Sequence, residues 1–240
     1  MPDIHDRIEN MLSMLDEDGV IVLENHYLPG LIEDLQYDVL YHEHLRFYSL
    51  TSLHKLLISH KLRILSTKKI PTHGGSLRVY VERELAETSP PDIKKSMEDW
   101  NVISLFQEEN SFFLNNTWED FRQRAAQAKL DLLYTLQQET MDSSLYAIGA
   151  PSRAVTLIHY LGLDESIIDG ILEVSNSPKI GHYLPGTKIK IMDEKILYEG
   201  KVDYALLLSW HLGEPLMEKT KEKGFKGKFV IPLPTPLIVE

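Results

Sequence analysis

Cysteine is absent from the 240 residues, which excludes disulfide bonds and thiolate zinc sites built from this chain. No apolar run reaches the roughly 18–20 residues needed to cross a bilayer. The opening MPDIHDRIEN lacks the basic-then-apolar pattern of a secretory leader, so the expectation is a soluble cytoplasmic protein with no membrane partner. Positive charge is in deficit: 25 Lys and Arg face 36 Asp and Glu, for a net charge of -11. Nucleic-acid grooves show clustered Lys and Arg, so nucleic acid is not an expected partner, and an anionic ligand would need a local positive pocket. A three-glycine dinucleotide fingerprint, a P-loop lysine and an HExxH helix are missing too.

What is present is ordinary globular material, 43% hydrophobic and 25% charged. The length suits one large domain or two small ones, burying roughly 70% of the unfolded surface. Asp3 can cap a helix whose buried face is Ile8, Met11, Leu12 and Leu15. Asp18-Gly19 breaks it, and Val20 to Leu23 reads as a strand covered on both faces. Leu53, Leu56 and Leu57 mark a second helix capped by Ser49 or Thr51. Two strands, Leu62 to Ile70 and Leu77 to Glu82, flank Pro71, Thr72, His73, Gly74, Gly75 and Ser76. From Glu84 to Asn116, with Pro90-Pro91 near its start, the texture is that of a connector with a helical piece. Thr117 then caps a long helix carrying Trp118, Phe121, Ala125, Ala128, Leu132 and Leu136 on one face.

A second α/β unit opens with the strand Leu145 to Ile148, the turn Gly149 to Arg153 and the helical pattern Val155 to Leu161. Backbone N–H groups and the helix dipole converge on an anion at such a turn, and Arg153 can add a bidentate contact to phosphate; a purely structural turn is the alternative. Ile171 to Val174, Lys188 to Met192, Tyr204 to Trp210 and Lys228 to Pro232 read as further strands, and the helix after Glu214 ends at Gly224.

The densest chemistry lies in Tyr41, His42, Glu43 and His44. In an extended segment, His42 and His44 would share one side and Tyr41 and Glu43 the other. Imidazole titrates near neutral pH, and an adjacent carboxylate can orient it or raise its pKa. The cluster can therefore move protons or hold a metal; a solvated polar loop is the plainer reading.

Five stretches in order, YHEHLRFYSLTSL, THGGSLRVYV, GAPSRAVTL, GHYLPGTKIKI and DYALLLSWHL, resemble the sugar C-methyltransferases that act on nucleotide-linked keto-deoxysugars. The resemblance implies S-adenosylmethionine as cofactor and a nucleotide-diphosphate sugar as ligand; no metal is expected. It implies an α/β chain: the latter part of a class I methyltransferase (Rossmann-like) domain over 1–85, a helical connector over 86–142, and a second, nucleotide-sugar-binding Rossmann-like domain over 143–240. The cysteine-rich domain and the glycine-rich donor-binding half of such enzymes are expected to lie outside this chain, so a donor-binding partner protein or a homo-oligomer is expected to complete it. By the same resemblance His44 is the base that takes the proton beside the ketone, with Glu43 and Tyr41 supporting it or binding the sugar and His42 structural. Ser152 and Arg153 fall where the diphosphate is contacted, and Lys179 and Tyr183 lie in a matching loop. Arg78 is placed in the same cleft, with a surface ion pair as its alternative. A non-catalytic nucleotide-sugar-binding module and a metal hydrolase built on His42 and His44 are the competing readings.

Overall fold

The computed structural model describes residues 3–71, 74–84 and 93–240, with backbone alone for 93–100. Thr72, His73 and the Pro90-Pro91 part of the expected connector lie outside the described residues.

The chain divides into two compact units, one comprising Met1–Glu33 and Leu45–Glu119, the other Asp34–His44 and Asp120–Glu240. In the first, Asp3 caps α1 (Ile4–Ser13) by accepting from the His5 and Asp6 N–H groups. There follow β1 (Ile21–His26), α2 (Leu28–Glu33), α3 (Leu50–Ile58), β2 (Leu62–Ile70), β3 (Ser76–Arg83) and α4 (Ile93–Leu114). The three strands form an antiparallel sheet in the order β1-β3-β2. Gly74 and Gly75 before β3 take φ of 85° and 117°, values at which a Cβ is strained. Ile8, Leu50, Leu53, Leu57, Leu77, Val79 and Val81 make the core. The expectation that Val20 to Leu23 is covered on both faces fails: Val20 and Val22 are 48% and 54% exposed, while Ile21 and Leu23 pack on the core. Among the described residues β1 pairs with β3 alone, and one covered face gives the alternation of a half-buried antiparallel strand.

Ser49 is the cap of α3, accepting from the Ser52 N–H in a reciprocal capping box. The first two helical N–H groups, of Leu50 and Thr51, go to the carboxylate of Glu109 on α4, which also accepts from the Thr51 hydroxyl at 2.7 Å. Glu109 is 1% exposed and Leu50 fully buried, so water cannot replace the carboxylate. Glu109→Ala is expected to destabilise the first unit by about 2–3 kcal/mol, because a buried helix end loses charge-assisted bonds and keeps orphaned donors. Urea unfolding of the full chain measures this; a loss under about 0.5 kcal/mol, the usual size of a surface substitution, would show that the helix end finds other partners.

The second unit takes most of α5 (Thr117–Thr140), then β4 (Leu145–Ile148), α6 (Ser152–Leu161), β5 (Gly170–Glu173), β6 (Ile191–Asp193), β7 (Tyr204–Leu207), α7 (Gly213–Glu222), β8 (Lys228–Ile231) and β9 (Leu237–Val239). Its sheet has the order β6-β5-β4-β7-β8-β9, parallel except for β9, which runs antiparallel to β8. Ala125, Ala128, Leu132 and Leu136 of α5 are buried with Leu145, Ala147, Leu157, Ile158 and Leu206. Two expectations for α5 need correction. Thr117 is the first helical residue, not the cap, and its hydroxyl donates to the Phe112 carbonyl. Trp118 is 56% exposed, stacked on Phe113 rather than buried.

The fold is thus α/β with two sheets. Within the units, α4 packs on α3 and β2 in the first, α5 supplies core to the second, and the segment 34–44 joins the second through Leu35 and Tyr37. Among the described residues, no helix is long and apolar enough to cross a membrane.

Candidate active site

From β4 the chain steps outward through β5 to β6 and then returns to the other side of β4 with β7 and β8. In open α/β sheets ligands bind beyond the carboxyl ends of the strands, where the strand order reverses; here that place lies between the turn after β4 and the residues after β7. The segment 34–44 occupies it. Asp38, fully buried, receives Arg153 Nε and Nη2, each at 2.7 Å, and Trp210 Nε1 at 2.8 Å. Arg153 Nη1 donates to His211 Nδ1 at 2.7 Å, and the guanidinium lies 5.2 Å from the Trp210 ring centre.

This arrangement gives Arg153 a partner within its own unit. The side chain is 6% exposed and its fork is taken by a carboxylate of this chain. Planar guanidinium and carboxylate match in two parallel bonds, and the pair fastens 34–44 to the start of α6, where Thr156 Oγ1 also donates to the Leu40 carbonyl at 3.2 Å.

Four residues beyond the fastening point the motif turns. The His44 N–H donates to the Tyr41 carbonyl at 3.0 Å, which brings residues i and i+3 together. The expected pairing of His42 with His44 across an extended strand is therefore replaced by a pairing of Tyr41 with His44. Tyr41 Oη lies 3.1 Å from His44 Nε2, with the rings edge to face at 4.9 Å. Burial, and after it the charge of Glu43, pushes the Tyr41 phenol above its ordinary pKa against the opposing pull of Arg153; the phenol stays protonated at neutral pH. Glu43 accepts from Ser152 Oγ at 3.0 Å, and His42 stands out in solvent with its side chain 86% exposed. Among the described residues, no group of three His, Cys, Asp or Glu side chains is placed to hold a metal ion.

Tyr41 and His42 also line a cavity of about 490 Å³ bounded by Ala150–Ser152, Val155 and Thr156 on one side and by Pro178, Lys179, His182–Pro185 and Ile191 on the other. A larger space of about 670 Å³, lined by Ser143, Asp203 and Gly227 among others, sits at the amino ends of β4, β7 and β8. Ligands of such sheets bind at the opposite end, so the smaller cavity is the better candidate. Lys179 Nζ donates to the Ala150 carbonyl at 2.8 Å and lies 3.5 Å from Glu173, whose Oε1 accepts the Ala150 N–H at 2.7 Å. Tyr183 is 57% exposed, its backbone bridged to Lys190.

The structure therefore brings Tyr41, Glu43, His44, Ser152, Lys179 and Tyr183 into the second unit, and turns Arg153 inward beside them. Arg78 stands on β3 of the first unit, bonded through Nε and Nη2 to Glu24 at 3.0 and 2.8 Å, which is the surface ion pair given as its alternative. Asp38, Glu173, Trp210 and His211 are additions. A carboxylate closing the second strand after a glycine turn is a readable signal for Glu173; Trp210 and His211 lie in DYALLLSWHL, one of the resembling stretches, and Asp38 has no signal in its local sequence.

Residues 71–234 match the family model of the C-methyltransferase C-terminal domain. The whole chain aligns over 245 positions with the C-methyltransferase NovU of Streptomyces niveus at 28% identity, covering 56% of that protein. The chain spans about half the length of this curated relative. Since the family match takes in well over half of its residues, the chain belongs to the C-methyltransferase family, by way of that family's C-terminal domain.

Proposed function

We propose that this chain removes the α-proton of a keto-deoxysugar linked to a nucleoside diphosphate, in preparation for methylation at that carbon. The observation that carries the reading is the 3.1 Å contact of Tyr41 Oη with His44 Nε2, at the end of the second unit where ligands of open α/β sheets bind. In this reading the substrate displaces the contact between the two groups, taking the phenol as donor to its carbonyl oxygen and the imidazole as acceptor of the proton on the neighbouring carbon. A neutral imidazole is matched to a carbon acid activated by a carbonyl, and a protonated phenol stabilises the enolate oxygen as charge develops there. Glu43 accepts from the Ser152 hydroxyl, so its role in this reading is to hold the turn and meet sugar hydroxyls.

Membership of a methyltransferase family implies S-adenosylmethionine, which when bound supplies the methyl group. β1 runs into α2 through Tyr27 alone, and the Ala150 N–H at the turn after β4 is taken by Glu173, so neither of these two turns is read as the cradle for it. The chemistry assigned to this chain's own residues is therefore the proton step. The five parallel strands in the order β6-β5-β4-β7-β8 are read as a Rossmann-like arrangement, and ligand binding at the strand-order reversal of such sheets supports a nucleotide-linked substrate. The antiparallel β1-β3-β2 sheet is read as the closing edge of a class I methyltransferase sheet, with a donor-binding protein or second copy as its complement.

The proton step can be tested without the methyl donor. In D₂O, the chain is expected to catalyse exchange of the α-hydrogen of a nucleoside-diphosphate 4-keto-6-deoxysugar, followed by loss of the proton signal in NMR. Exchange no faster than in buffer would remove the catalytic reading and leave a nucleotide-sugar-binding module.

A further inference from the structure

Two histidines that the proton step does not use meet in the first unit. His5 Nδ1, on the first turn of α1, lies 2.7 Å from Nε2 of His60, just past the end of α3, and His60 Nδ1 lies 2.6 Å from Glu9 Oε1. The Glu9 carboxylate accepts the Nδ1 proton of His60, so in the neutral ring the lone pair sits on Nε2, aimed at His5. A histidine that gives one ring N–H to a carboxylate and offers its other nitrogen has the form of a metal ligand with its orienting partner. The His60 side chain is 7% exposed, whereas His5 lies open to solvent; the oriented ring is the hidden one, and the other gives access.

Both rings stand on backbone fixed by other bonds. The His5 N–H donates to the Asp3 carboxylate at 2.8 Å and the His60 N–H to the Leu57 carbonyl at 3.0 Å. The start of α1 is acidic, with Asp3, Asp6 and Glu9 against Arg7, a local field that favours a cation. No thiolate competes, since the chain has no cysteine, and imidazole suits late first-row divalent metals, whereas Mg²⁺ and Ca²⁺ take oxygen ligands. Metal–nitrogen bonds of about 2.0–2.1 Å in a tetrahedral site set two nitrogens about 3.3 Å apart, so the pair has to open by roughly 0.6 Å. The exposed His5 side chain supplies that by rotating about its own bonds. Among the described residues no group of three His, Cys, Asp or Glu is placed to hold a metal, so two imidazoles are the protein's share and water fills the other positions.

We infer that His5 and His60 form a binding site for a zinc-class divalent cation, oriented by Glu9, which clasps α1 to the end of α3. Such a clasp has a place in the packing. The two helices border a cavity of about 460 Å³ lined by Ile4, Met11, Leu53 and Leu56 among others, so their apolar contact is incomplete and a bond at one end carries more of the attachment. The site lies in the first unit and stands apart from the proton step assigned to Tyr41 and His44.

Zinc titration of the metal-stripped full chain tests the site, by calorimetry and by urea unfolding at about pH 7.5, where ordinary imidazole is neutral and able to bind a metal. One Zn²⁺ is expected to bind per chain and to raise the urea midpoint, because a ligand of the folded state alone stabilises it; Mg²⁺ is expected to do neither. Glu9→Gln is expected to weaken zinc binding about 10- to 100-fold, the usual effect of losing the partner that orients a ligating histidine. His5→Gln, which removes a ligand outright, is expected to weaken it by about 100-fold or more and to cancel the midpoint shift. Being exposed, His5 keeps the test decisive where His60→Gln also disturbs the fold. No zinc binding, zinc binding that His5→Gln leaves unchanged, or an equal response to Mg²⁺ would each overturn the site; the first would show that the two rings share a proton only.

Discussion

Asp38→Ala is expected to destabilise the second unit by about 3–5 kcal/mol, the usual result of stranding one member of a buried ion pair. The carboxylate is fully buried and accepts two bonds from Arg153 and one from the Trp210 indole. Without it the guanidinium stays where water does not reach, the indole N–H loses its acceptor, and 34–44 loses its anchor. Removing both charges together is far cheaper, because no uncompensated ion remains. The double variant Asp38→Ala, Arg153→Met is therefore expected to be more stable than Asp38→Ala alone, and the cycle reads the coupling directly. Urea unfolding of the full chain, followed by tryptophan fluorescence because Trp210 is in the network, gives both quantities. An Asp38→Ala loss below about 1 kcal/mol, as at an exposed pair, would mean that the guanidinium escapes to solvent.

His44→Asn is expected to lower deuterium exchange of the ketosugar by about 10²- to 10⁴-fold, the range for a removed general base, or roughly 3–5 kcal/mol of barrier. Asparagine keeps a polar side chain of similar reach, so the Tyr41 turn, which is closed by backbone, should persist. Tyr41→Phe is expected to act in the same direction by about 10²-fold, since it removes a donor aimed at the developing oxyanion. His42→Asn is expected to leave exchange near the parent rate, its ring standing in solvent. Initial rates at saturating ketosugar distinguish these variants. Unchanged exchange in His44→Asn would dispose of the imidazole as the base.

What was legible in the sequence was what neighbouring residues determine. Asp3 and Ser49 cap their helices as read, because a cap needs only a side chain and the N–H groups two or three residues on. The five parallel strands of the second unit were found from short apolar runs, whose burial in a parallel sheet gives a pattern with no competing period, while the antiparallel β9 was missed. The errors lie where distant contacts decide. Val22 is apolar yet exposed because β1 has one covered face, which composition does not encode. The Tyr41–His44 pairing depends on a turn that nothing in YHEH announces, having neither glycine nor proline. The ion pair of Arg153 was not legible because its counter-ion lies 115 residues away in sequence and leaves no trace near it.

That separation bears on how the protein is made. Asp38 emerges from the ribosome long before either of its partners, Arg153 and Trp210, and the second of these follows only after 172 further residues. Arg153 can meet the carboxylate before the indole does, so the fastening of 34–44 is completed in two stages, and a polypeptide released between them would lack the Trp210 bond to Asp38.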